Sequence, residues 1–245
     1  MKSRNVLFAL AATSLVIASA VFAAQAVPPA VSAAVADPAR PKADTDRDEM
    51  RRPAAMMAAS GIKSGDKVIE LVPGGGYVTR LISKIVGPMG HVYAANLPTF
   101  NEKFKSGPIA VTSNPAYGNV SIIEMAFSQL KAAEPVDVVW TSENYHDFKN
   151  MGQFSTDTNA MNRAVFAALK PGGRYIVTDY VAVAGSGVRD TQMLHRIDPE
   201  TIRSEVLAAG FRLETTSNAL AHPDDPHTGR SGQASDQVYF IFRKP

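Results

Sequence analysis

Short apolar runs alternate with helical stripes along most of this chain. Residues 68–72 are apolar apart from Glu70, as expected of a strand buried on both faces. After them Tyr77, Leu81, Ile82 and Ile85 recur at helical spacing, and Gly87 and Pro88 end that helix. Further strands are predicted at residues 91–95, 120–123, 136–141 and 174–179. Before the last of these, Met161, Ala164, Val165, Ala168 and Leu169 form a helical stripe that stops at Lys170-Pro171-Gly172-Gly173. Asp198 and Pro199 read as the N-cap and first turn of a helix carrying Ile202, Val206 and Leu207, closed by Gly210. Residues 211–216 and 238–242 read as two more strands. Nearer the N-terminus, residues 47–60 place Met50, Ala54 and Met57 on one helical face, with Pro53 early enough to cause a kink at worst. Alternating strands and helices predict an α/β fold with a parallel sheet.

Charge changes the picture at the N-terminus. The chain has 245 residues, 25 Lys+Arg, 23 Asp+Glu and no cysteine. Lys2 and Arg4 lie in residues 1–26, which hold no acid, so the remainder balances at 23 basic and 23 acidic side chains. A neutral chain with 8% aromatic residues lacks the cationic surface that displaces counterions from phosphates, so no nucleic-acid partner is expected. The two charges precede an uncharged, mostly apolar run that ends in Ala24-Gln25-Ala26, the pattern of an export signal. The expected organisation is a signal peptide at 1–26, a flexible Ala/Pro-rich linker at 27–45 and one domain at 46–245, in a bacterial periplasm. An uncleaved anchor is the alternative for the leader. After cleavage no membrane span is expected, and without disulfides the domain must be held by its core.

Four segments carry a family resemblance: Val68-Ile69-Glu70-Leu71-Val72-Pro73-Gly74-Gly75-Gly76, Asp137-Val138-Val139-Trp140, Leu169-Lys170-Pro171-Gly172-Gly173 and Ala209-Gly210-Phe211. In this order and spacing they resemble class I S-adenosylmethionine-dependent methyltransferases. With Asn144-Tyr145-His146-Asp147 after strand four, the chain is similar to a predicted exported bacterial group of that family. The resemblance covers residues 46–245. It implies a Rossmann-like fold: a seven-stranded, mostly parallel sheet with an antiparallel last strand and helices on both faces. It also implies S-adenosyl-L-methionine as cofactor, and the methyl acceptor expected of an exported domain is a small molecule or an envelope component.

Glycines at the end of a first strand let the backbone turn tightly and approach a ligand, while the next helix directs N–H groups at an anion. The resemblance places the cofactor's amino-acid end at Gly74, Gly75 and Gly76, with Glu70 orienting the loop or holding the ammonium. A turn that only serves strand-to-helix packing is the alternative reading. Three departures stand out, one of them the absence of an acid near the adenine after strand three, where Ala126-Phe127 stands. Val72 occupies a position where the family usually has glycine, and Asn96 ends strand two where an acid usually pairs with the ribose. Asn96 can still bond a diol, without the charge assistance of a carboxylate. Phe127 either stacks on a purine or packs the core.

The chemistry is expected after strand four. Thr141 would face the cofactor, and Asn144 and Tyr145 would line the acceptor pocket. His146 has the intrinsic pKa of an acid–base group, and Asp147 could fix its tautomer. Asp179 ends strand five at the same sheet edge, as a site residue or a cap. His195 belongs to a segment that could fold over the pocket, hinged at Gly185-Ser186-Gly187. The run from His222 to His227 matches no standard zinc spacing and reads as a plain turn, so no metal is expected. A nicotinamide enzyme is disfavoured because Thr79 stands at the third glycine position. An exported, non-catalytic or differently liganded binding protein is the main alternative, since export separates the chain from a cytosolic cofactor. The sequence sets no oligomeric state.

Overall fold

A computed structural model of the protein describes residues 26–232 and 234–245, so the expected signal peptide lies, Ala26 apart, outside the described residues. The apolar runs become β1 (Lys67–Leu71), β2 (His91–Asn96), β3 (Val120–Glu124), β4 (Val136–Ser142), β5 (Leu169–Tyr180), β6 (Arg212–Thr216) and β7 (Gln237–Arg243). Among the described residues these seven strands form one sheet in the order β3-β2-β1-β4-β5-β7-β6. β7 runs antiparallel to β5 and β6, and the other strand pairs are parallel. The expected Rossmann-like class I methyltransferase architecture is the one observed.

Period-two side-chain alternation divides the core into two layers. Ile69, Leu71, Val139, Tyr175 and Val177 point to one face. There they meet α7 (Thr158–Ala168) through Met161 and Val165, and α9 (Pro199–Ala208) through Ile202 and Val206. Val68, Val92, Val138, Trp140 and Ile176 point to the other face. Here they meet α1 (Pro29–Val35), α4 (Pro53–Ser60) and α5 (Tyr77–Val86). Because helices cover both faces, the central strands read as continuous apolar runs.

The N-terminal segment departs from expectation. Residues 27–45 are not a free linker: Val31 and Ala34 of α1 are buried against α5, and a second short helix, α2 (Lys42–Thr45), follows. Sparse apolar residues hid this packing: only Val31 and Ala34 of the seven-residue helix are buried. The helix expected at 47–60 is two, α3 (Asp48–Arg51) and α4, broken at Arg52, whose φ is 45°. Pro53 disfavours helical backbone in the residue before it and starts a new helix at its own position.

A helix that the pattern did not predict, α6 (Glu102–Thr112), follows β2. Gly107 and Pro108 inside it mask the helical signal. Gly107 is there for a close approach: a Cβ on it would lie 1.9 Å from the Gly74 carbonyl oxygen. A short helix, α8 (Thr191–Leu194), precedes α9. No helix among the described residues is long and apolar enough to cross a membrane.

Candidate active site at the carboxyl end of the sheet

The chain proceeds outward from β1 to β2 and β3, then returns to place β4 on the other side of β1. This reversal opens a crevice beyond the carboxyl ends of β1 and β4, where open α/β sheets bind ligands. Its floor is Glu70, Val72, Pro73, Gly74 and Gly75 on one side and Ser142, Glu143 and Asn144 on the other. Arg47 and Arg51 roof it from the N-terminal segment, and the enclosed volume is about 170 Å³.

Two tight turns shape this floor. Val72 has φ 55° and Glu143 φ 59°, left-handed conformations that cost a non-glycine residue about 1–2 kcal/mol. Val72 thus adopts the glycine-like conformation that its position demands, strained, while its side chain stays buried in the core. The Asn144 amide bridges the two turns, donating to the Ser142 carbonyl at 2.5 Å and to the Val72 carbonyl at 3.4 Å. Gly74 also has positive φ. Gly76 caps α5 and packs against Val111 of α6, so it supports the loop and does not line the crevice.

Glu70 is buried, and its Oε2 has no hydrogen-bond partner. Burial pushes the carboxyl up to about 7, against the neighbouring Thr79 hydroxyl and the opposing charges of Arg51 and Arg80. A buried, unpaired carboxylate oxygen beside a crevice is poised for a cationic ligand group. Arg51 reaches across the opening to Glu143 at 3.0 Å, and its guanidinium stacks 4.6 Å from the centre of the Tyr77 ring. Tyr77 donates to Asp48, which pairs with Arg40. Neither Arg47, Arg51 nor Glu143 is marked by a sequence motif. Arg47 and Arg51 reach the crevice only because the N-terminal segment folds back over α5, and Glu143 reaches it from the turn that ends β4.

The other expected cofactor residues lie deeper. Asn96 ends β2 as expected, fully covered, with its Oδ1 unpartnered. Thr141 is buried within the sheet with Oγ1 unpartnered, and Ser142 and Glu143 take the crevice positions instead. The difference is one of strand length: β4 continues through Ser142, which places Thr141 inside the sheet. Phe127 packs edge-on against Phe148 in the core.

Asn144, Tyr145 and His146 occupy adjacent positions but point to three environments. Tyr145 is not a pocket residue: its ring is in the core, its hydroxyl donates to Glu205, and Asn162 donates to it. Successive residues in this turn leave in different directions, which sequence adjacency conceals. His146 is also buried, and Asp179 takes the orienting role expected of Asp147. The Asp179 carboxylate accepts from both His146 N and His146 Nδ1, each at 2.7 Å. His146 Nε2 then faces His195 Nδ1 at 3.2 Å and Asp147 Oδ1 at 3.3 Å. Burial opposes a charge on His146, but Asp179 and Asp147 outweigh it and raise its pKa to about 10. An imidazole that holds its proton at neutral pH is a poor general base.

His195 is pinned rather than carried on a hinged flap. Its neighbour Arg196 is buried and bonded to Gly229, Val181, Asp225 and Ser235. Asp225 and Asp236 also tie down the run from His222 to His227, which is a turn, as expected.

This topology and crevice define the class I fold of S-adenosylmethionine-dependent methyltransferases. A solved S-adenosylmethionine-dependent methyltransferase from Aquifex aeolicus aligns with a TM-score of 0.57 at 18% identity, over 80% of this chain and 92% of that one. The glycopeptide N-methyltransferase MtfA, solved with S-adenosyl-L-methionine, aligns at 0.54 and 13% identity, over 78% and 86%. In sequence, the ubiquinone/menaquinone biosynthesis C-methyltransferase UbiE of Vibrio campbellii is 31% identical over 122 residues, 49% of this chain and 44% of the relative. The likeness therefore spans less than half the length of that relative. No protein-family profile matches the chain.

Proposed function

We propose that this protein binds S-adenosylmethionine in the crevice between β1 and β4 and transfers its methyl group to a small-molecule or envelope acceptor. The observation that carries the reading is the unpartnered Oε2 of buried Glu70 beside the glycine loop. Glu70 offers the missing partner to the cofactor's ammonium, and Arg47 and Arg51 offer charge to its carboxylate. A volume of about 170 Å³ suits that amino-acid end, but lies below the roughly 300–1000 Å³ of an ordinary small-molecule pocket. Admitting the adenosine end therefore requires the Arg51–Glu143 bridge to part.

When bound, the cofactor supplies a methyl group on a sulfonium, open to in-line displacement. The protein's contribution is alignment. Asn144 holds the two turns in register, and the Asp179–His146 pair fixes the segment after β4. The likeness to methyltransferases of known structure supports the same reading.

Titration calorimetry of the purified chain with S-adenosylmethionine and with its demethylated product should show one site for each, weakened about tenfold by Glu70→Gln. Absence of heat at millimolar ligand overturns the proposal and favours a non-catalytic or differently liganded binding protein. The reading includes export directed by residues 1–26. A reporter active only outside the inner membrane, fused after Pro245, should be active. Activity of a cytosol-only reporter would contradict export.

A further inference from the structure

Three side-chain atoms converge beyond the carboxyl ends of β4 and β5: His146 Nε2, His195 Nδ1 and Asp147 Oδ1. They form a triangle with edges of 3.2 Å between the two histidines, 3.3 Å from His146 to Asp147 and 3.6 Å from His195 to Asp147. An ion bound tetrahedrally through bonds of about 2.0–2.2 Å separates its ligand atoms by about 3.3–3.6 Å. The triangle has the dimensions of one face of such a tetrahedron.

Hydrogen bonding alone satisfies this triangle poorly. His146 Nδ1 already donates to Asp179, leaving at most one proton, on Nε2, to divide between His195 and Asp147, and it is this proton that a bound metal ion displaces. The 3.6 Å edge is too long for a hydrogen bond. A cation at the centre meets all three atoms at once.

Two independent features support it. Asp179, fully buried, bonds the far ring nitrogen of His146, as outer-shell carboxylates do for metal-binding imidazoles. His195 holds φ 50°, a strained backbone that turns its ring toward His146, and the Arg196 bonds keep it there. His195 and Asp147 remain partly open to solvent, which leaves room for a fourth ligand.

We propose that His146, His195 and Asp147 form a divalent-metal site of the zinc class, completed by water, with Asp179 as its outer-shell support. Nitrogen and carboxylate ligands in a compact triangle suit Zn²⁺, whereas Mg²⁺ and Ca²⁺ prefer oxygen ligands. The inference stands apart from the cofactor reading, because none of the three ligands lines the crevice.

The test is Zn²⁺ titration of the full chain against a chromophoric chelator, with Co²⁺ absorption as a second readout. One Zn²⁺ per chain is expected, and Co²⁺ should give the intense visible bands of a tetrahedral site. His195→Ala and Asp147→Asn should each weaken Zn²⁺ binding at least tenfold, and Asp179→Asn about 10–100-fold. His222→Ala and His227→Ala should leave it unchanged. Far-ultraviolet circular dichroism identifies any variant that fails to fold. The partly exposed His195→Ala then decides, with His195→Gln as a second variant. No binding by the parent chain, or equal binding by folded His195 and Asp147 variants, overturns the site.

Discussion

Glu70 links the physics of one buried carboxyl to the chemistry of the crevice. Its pKa rises in the folded state from 4.5 to about 7, so between these values the native chain binds more protons than the unfolded one. Stability therefore falls as pH rises through this window, by up to about 3 kcal/mol. Glu70→Gln should match the parent below pH 4.5 and exceed its stability above about pH 7, as measured by urea denaturation at each pH. A parent curve flat across that range would show that Glu70 ionises freely. The tight turn at Gly74 and Gly75 was legible in the sequence from residue type and position, whereas Glu70 was pointed to by the family resemblance. Strain was not legible: Val72 and Glu143 are ordinary residues in sequence, and only the fold forces both into left-handed turns. Nor could adjacency show that Asn144 lines the crevice while Tyr145 enters the core.

At the scale of elements, the N-terminal helices are part of the site. Arg80 of α5 pairs with Asp44 of α2 at 2.8 Å, both largely buried, and its guanidinium also donates to the Gly75 carbonyl at 2.9 Å. Breaking a buried pair leaves an uncompensated charge, at a cost of about 3–5 kcal/mol. Asp44→Asn should destabilise the protein by the lower part of that range, read from thermal melting, and should weaken cofactor binding through the Gly75 contact. A variant with parental melting temperature would mean that α2 does not hold the loop. The central strands, α5, α7 and α9 were legible because their apolar periods are long and undisturbed. The α1–α3 segment was not, since its docking rests on Val31, Ala34 and individual ion pairs rather than on a stripe. Helix α6 was hidden by Gly107, the residue that allows it to seat on the glycine loop.

For the molecule as a whole, one sheet with helices on both faces puts its ligand crevice at a place set by strand order alone. That place was legible once the alternation of strands and helices was read. The closure of the crevice by Arg47 and Arg51 was not, because the contact joins segments about twenty residues apart or more. The most direct measurement is ultraviolet cross-linking of the chain with S-adenosylmethionine labelled in its methyl group, followed by mass mapping of the labelled peptide. The account predicts label within residues 47–51, 70–78 or 142–144, the segments that line the crevice, reduced by excess unlabelled demethylated product. Label confined to other segments, or none at saturating cofactor, would contradict it.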